Sequence, residues 1–178
     1  MPLKLGHTPR WLVGVALLWL LLGCAPSVEE QTTAERTFLS APSRADFPDV
    51  GNALELRCGT LDCHGQPGRN LRLYGYGGLR LSPAETPNGD PTTDQEIAAC
   101  YDSLVGLEPE TLSEVVTHRA TPDQLSLVRK MLGIERHKGG QQARPGDALD
   151  RCVLLWLTAQ YDPAPCADVI NATNPGNE

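Results

Sequence analysis

The sequence predicts a mainly α fold, a small domain of short helices with at most one β-hairpin. Three observations carry this. Apolar residues recur at helical spacing in several separate stretches; helix-start signals stand before three of them; and period-two alternation is confined to two triplets around a glycine-rich pentapeptide.

The first helix is expected from Asp46, a capping residue, with Pro48 tolerated in its first turn. Phe47, Val50, Leu54 and Leu56 give it an apolar face, and it runs directly into Cys58. Leu71-Arg72-Leu73 and Leu79-Arg80-Leu81 flank Tyr74-Gly75-Tyr76-Gly77-Gly78, which suggests the hairpin or two extended segments. No Lys-Ser/Thr pair and no helix start follow these glycines, so they read as a turn and not as a phosphate loop. Thr93 and Glu96 match a capping box for a helix over 93–107, with Ile97, Tyr101, Leu104 and Val105 on one side. Pro109 marks a boundary. Leu112, Val115 and Val116 predict a short helix, and Leu125 to Leu132 another. The clearest helix follows Asp147 and carries Leu149, Val153, Leu154, Trp156 and Leu157. The proline-containing tail, 162–178, reads as irregular.

The N-terminus has a separate logic. Lys4 and Arg10 precede an apolar run from Trp11 to Leu22, and its 12 residues are too few to span a bilayer. The run ends in Leu21-Leu22-Gly23-Cys24, which resembles the lipobox of bacterial lipoproteins. That resemblance implies a signal peptide over 1–23, lipidation of Cys24 with acyl chains sufficient for stable anchoring, and, with Ala25 next, sorting to the outer membrane. The alternative is an ordinary signal peptide with an incidental cysteine. Residues 24–45 are polar and without apolar period, and read as a tether reaching roughly 25 Å. Residues 46–161 are then the folded domain.

Lys4 and Arg10 leave with the signal, so the mature chain keeps 13 of the 15 basic residues against 22 acidic ones, a net of −9. An acidic chain repels nucleic acid and anionic headgroups, which excludes those partners. No carboxylates stand as an acid/base pair and no nucleophile elbow is present, so hydrolytic catalysis is not indicated.

Chemistry concentrates in Cys58-Gly-Thr-Leu-Asp-Cys63-His64. A c-type haem needs two thiols for its vinyl groups and a histidine directly after the second for iron. The usual spacing between the cysteines is two residues and here it is four, a variant found among c-type cytochromes. A Cys58–Cys63 disulfide and a zinc site that uses both thiols and His64 are the alternatives.

A wider likeness accompanies the motif. The stretch FPDVGNALELRCGTLDCHGQPGRNLRLYGYGGLRL, 47–81, resembles the planctomycete-type cytochrome c domain of bacterial surface proteins. The stretch LVRKMLGIERHKGG, 127–140, with the final Trp-Leu helix, resembles the later part of such domains. The likeness covers about half of the mature chain. It implies a small cytochrome c-like helical domain that holds one haem c covalently, with Cys58 and Cys63 as tethers and His64 as the proximal iron ligand. For the distal ligand the mature chain offers His118, Met131 and His137. Met131 lies at helical spacing and reads as core filler, and His118 as a surface residue at a helix end. His137, before Gly139-Gly140, is the assigned ligand, because glycines let the backbone approach a flat cofactor, with a surface loop histidine as the alternative. Arg72 and Arg80 would share one side of the hairpin, as solvated edge residues or as propionate partners.

The expected function is therefore a lipid-anchored monohaem protein that carries or senses single electrons at the cell envelope and meets a redox protein partner, more a carrier than an enzyme. A disulfide-stapled, cofactor-free binding module is the runner-up, and a haem enzyme with an open iron position the third reading. Of the remaining thiols, Cys152 lies early in the last helix, and the chain beyond Gln160 is long enough to return Cys166 to its level. A Cys152–Cys166 disulfide is expected, with Cys100 as the odd thiol.

Overall fold

The computed structural model describes residues 39–173. The proposed signal peptide, Cys24 and most of the proposed tether lie outside them. Within them the chain is mainly α, as predicted, with six α-helices. These are α1 (Phe47–Cys58), α2 (Asp94–Val105), α3 (Pro109–Val116), α4 (Ser126–Met131), α5 (Ala148–Leu157) and α6 (Ala164–Thr173), and a 3-10 turn at Pro122–Gln124 precedes α4. No described helix is long and apolar enough to cross a membrane.

The centre of the domain is where α1, α2, α5 and α6 meet. Phe47, Tyr101 and Trp156, one from each of α1, α2 and α5, form an aromatic cluster with ring centroids 5.0–6.3 Å apart. Val50, Leu54, Leu104, Val153 and Leu157 belong to the same buried core. The polar atoms of the cluster are satisfied by the segment before α1. Tyr101 donates to the carbonyl of Pro42 at 2.8 Å, and the Trp156 indole to that of Ser43 at 2.8 Å. The Arg44 guanidinium lies 4.1 Å from the centroid of the Tyr101 ring and pairs with Asp102. Residues 40–44 therefore belong to the domain and not to a free tether, because buried Tyr and Trp need acceptors and this segment supplies them.

Helix starts follow the sequence signals in two cases out of three. Thr93 and Glu96 form the full capping box, and the Asp147 carboxylate accepts from the Asp150 amide at 3.0 Å. Asp46 makes no side-chain cap; its own backbone is helical and its amide donates to Ser43 Oγ. Pro109, expected as a boundary, is the first residue of α3.

The tail is not irregular throughout. Ala164–Thr173 is a helix whose Pro165 falls in the first turn, where its missing N–H costs nothing, and Pro165, Cys166 and Val169 are buried. The expected Cys152–Cys166 disulfide joins it to α5, with Cα atoms 4.9 Å apart. A cross-link over 14 residues contributes on the order of 3 kcal/mol by restricting the unfolded chain. Cys100 is a free, fully buried thiol that takes the Tyr74 amide at 3.0 Å and donates to the Tyr74 carbonyl at 3.2 Å.

Among the described residues the hairpin reduces to one isolated bridge, Tyr74 to Leu79. The two triplets point in opposite senses. Leu71 and Leu73 are buried with Arg72 outside, whereas Arg80 is buried and Leu81 exposed. Arg80 turns inward because Glu96, wholly buried at the start of α2, accepts its guanidinium through both oxygens at 2.8 and 3.1 Å. It also pairs with Glu85 and donates to the carbonyls of Asp90 and Pro91. Arg72 and Arg80 thus do not share a side, and Arg80 is neither a solvated edge residue nor a propionate partner.

Candidate haem site

Helix α1 delivers Cys58 to the edge of the core, and its end sets up everything that follows. The Gly59 amide still donates to Glu55 O at 2.7 Å, after which the chain turns so that the amides of Cys63 and Gly65 both donate to Thr60 O. The His64 amide returns to Cys58 O at 2.9 Å. The four residues between the cysteines are therefore absorbed in a compact turn, which brings both thiols and the histidine to one side.

That turn is locked by backbone contact. A Cβ on Gly65 would lie 2.0 Å from Gly59 O, and one on Gly78 would lie 1.9 Å from the same oxygen. The pentapeptide read as a hairpin turn packs directly on the turn that carries the motif. Buried Glu55, one helical turn before Cys58, accepts the Gly77 amide at 2.8 Å and fixes this contact to α1. Burial pushes the Glu55 carboxyl above its ordinary range, opposed by the Gly77 hydrogen bond.

Residues from these segments and from α4 and the loop after it line a cavity of about 490 Å³. The size falls within the roughly 300–1,000 Å³ of cofactor sites. Cys58, Cys63, His64, His137 and Met131 all reach it, so the sequence-assigned tethers and ligands come together on one cavity although His137 lies 73 residues beyond His64. Leucines 54, 71, 73, 107 and 127 supply apolar walls. His118 is exposed at the end of α3 and does not line it.

Cys58 and Cys63 are separate thiols, and burial pushes Cys58 up to about 11, with the neighbouring Cys63 acting in the same direction and Arg57 against it. Both conditions keep Cys58 protonated at neutral pH. His64 Nδ1 lies 3.0 Å from Leu71 O, which selects the tautomer with the proton on Nδ1 and leaves Nε2 available to a metal. Burial lowers the His64 pKa; the Leu71 contact opposes this, while His137, Arg69 and Lys130 reinforce it. The imidazole is therefore neutral near pH 7, the form that ligates iron.

His137 Nδ1 is buried and has no hydrogen-bond partner. Gly139 allows the loop to close over this ring, since a Cβ there would sit 2.9 Å from His137 Nε2. Gly140 has φ +66° and open space beside it, so the glycine pair serves the turn around His137.

Sequence reasoning missed the cations. Arg57, Arg69, Lys130 and Lys138 line the cavity, against the carboxylates of Asp62 and Glu108. In a chain of net negative charge this is a local reversal, and it is legible only after folding, because the four come from separate segments. Glu108 also closes one wall by accepting the Ser126 amide at 2.8 Å. Among the described residues no group of three or more His, Cys, Asp or Glu side chains is gathered to hold a bare metal ion.

The chain matches no protein-family model, no curated protein and no solved structure. The site's donor set fits a haem: two unbonded thiols beside a neutral histidine with Nε2 available, a second histidine with an unpartnered buried nitrogen, apolar walls and cations suited to carboxylates.

Proposed function

We propose that this chain is a lipid-anchored, monohaem c-type cytochrome-like protein that carries or senses single electrons at the bacterial envelope, in contact with a redox protein partner. The observation that carries the reading is the convergence of Cys58, Cys63, His64 and His137 on one largely apolar cavity.

In this reading Cys58 and Cys63 would hold the porphyrin as thioethers, and His64 and His137 would ligate its iron. Bound haem c would supply one-electron exchange between ferrous and ferric iron. The chain's residues do the rest. Leu71 O fixes the His64 ring, the leucine walls exclude water, and the Arg57, Arg69, Lys130 and Lys138 side chains offset carboxylate charge. The anchor rests on Cys24 and the lipobox-like Leu21-Leu22-Gly23 before it, and Ala25 after the cysteine favours the outer membrane.

The test is the absorption spectrum of the protein purified after expression with c-type haem maturation machinery. A Soret band with sharp reduced α and β bands supports the reading. A colourless protein with Cys58 bridged to Cys63 would replace it with the disulfide-stapled binding module.

A further inference from the structure

We infer that Arg57 is a positioning residue that holds the His137 loop against the helix carrying the first attachment thiol. The inference rests on the haem reading above and concerns how the two walls of the cavity are kept together.

The loop of residues 133–142 leaves α4 after Leu132 and is pinned to that helix at both ends. Glu135 is held by Arg129 at 2.8 and 3.0 Å and by Lys130 at 3.3 Å. The amides of Gln142 and Ala143 both donate to Met131 O, at 2.9 and 3.0 Å, and the Gln142 side chain donates to Gly139 O. These bonds shape the loop around His137, but they tie it to α4 or to itself. They do not fix its distance from Cys58, Cys63 and His64.

Among the hydrogen bonds of the described residues, one crosses from this loop to α1: Arg57 Nη2 donates to Gln142 O at 3.1 Å. Arg57 directly precedes Cys58, and Gln142 is the residue whose amide and side chain close the His137 turn. The link therefore joins the residue next to the first tether to the closing residue of the distal loop. Losing it frees the loop to retreat on its α4 anchors and carries His137 away from the opposite wall. A hydrogen bond of ordinary net strength shifts such an open–closed balance roughly two- to tenfold.

The experiment compares wild type, Arg57→Ala and Arg57→Lys, the last retaining the charge and a donor. On the haem-loaded proteins the rate of imidazole binding to ferric iron is measured. On the haem-free proteins, amide hydrogen exchange over residues 137–140 is measured. Arg57→Ala should bind imidazole roughly two- to tenfold faster and exchange these amides faster by a similar factor, with α5 amides unchanged, and Arg57→Lys should restore both towards wild type. Wild-type rates in Arg57→Ala on haem-loaded protein would overturn the inference and leave the haem reading standing. So would an unchanged exchange rate over 137–140 if that variant fails to load haem. A wild type that never acquires haem removes the haem reading, and this inference falls with it.

Discussion

His64 Nδ1 lies 3.0 Å from the carbonyl oxygen of Leu71, seven residues on. The relationship requires the chain to double back within the segment 64–73, and the Leu73 amide donating to His64 O at 3.0 Å shows how it does so. One short excursion thus fixes the tautomer of the proposed iron ligand and puts Leu71 and Leu73 into the wall beside it.

The turn that carries the motif tolerates no side chain where it meets the glycine pentapeptide. Gly78→Ala would place a methyl 1.9 Å from Gly59 O, a backbone atom that cannot swing aside. We expect a loss of stability of about 1–3 kcal/mol and a large fall in haem loading. Gly68→Ala, with nothing within 4 Å, should behave as wild type. Thermal unfolding and the haem-to-protein absorbance ratio check both, and normal loading of Gly78→Ala would contradict the packing described.

The distal assignment separates two residues that share the cavity. His137→Ala should convert a low-spin spectrum to high-spin and admit small ligands, with covalent attachment retained. Met131 is buried on the wall of the cavity, and Met131→Leu should leave the spectrum nearly unchanged. The reverse pattern would make Met131 the ligand, with a higher potential than two imidazoles give.

Stability at low pH should be governed by the buried Arg80–Glu96 pair. Burial by itself raises the Glu96 carboxyl, but hydrogen bonds from Arg80 and from the Thr93 and Leu81 amides outweigh it and bring the group to about 2. A carboxyl depressed in the folded state contributes fully above its unfolded value of 4.5, and the contribution is lost as pH falls from there towards about 2. Denaturant unfolding between pH 5 and 2 should show this decline, and Glu96→Gln should flatten it. Arg80→Ala, which strands a buried carboxylate, should cost about 3–5 kcal/mol at pH 7.

What was legible in the sequence follows a physical pattern. Helices with local signals were readable: Thr93 with Glu96 and Asp147 cap where expected, because a cap involves residues three apart. The Cys58, Cys63, His64 cluster was readable for the same reason, and His137 through its likeness to a family phrase. What failed depended on distant partners. Leu79-Arg80-Leu81 resembles Leu71-Arg72-Leu73, yet its orientation is inverted because Glu96 draws Arg80 inward. Residues 40–44 read as tether, but Tyr101 and Trp156 recruit their carbonyls as acceptors. Pro163 and Pro165 masked α6, whose burial is driven by α5 and the disulfide to Cys152.

Lipid attachment is testable apart from haem. Metabolic labelling with a tagged fatty acid should mark the wild type and not Cys24→Ser, which should also leave the membrane fraction. Equal membrane recovery of both proteins would contradict the anchor.

The central claim is that Cys58 and Cys63 bind haem covalently in the cavity that His64 and His137 share. The most direct measurement is the intact mass of the denatured protein after expression with c-type maturation machinery, beside Cys58→Ala and Cys63→Ala. The account predicts that the wild type retains the mass of one haem through denaturation and that a chain carrying both Cys58→Ala and Cys63→Ala retains none. A wild type whose denatured mass is that of the chain alone, with Cys58 and Cys63 joined to each other, would contradict it.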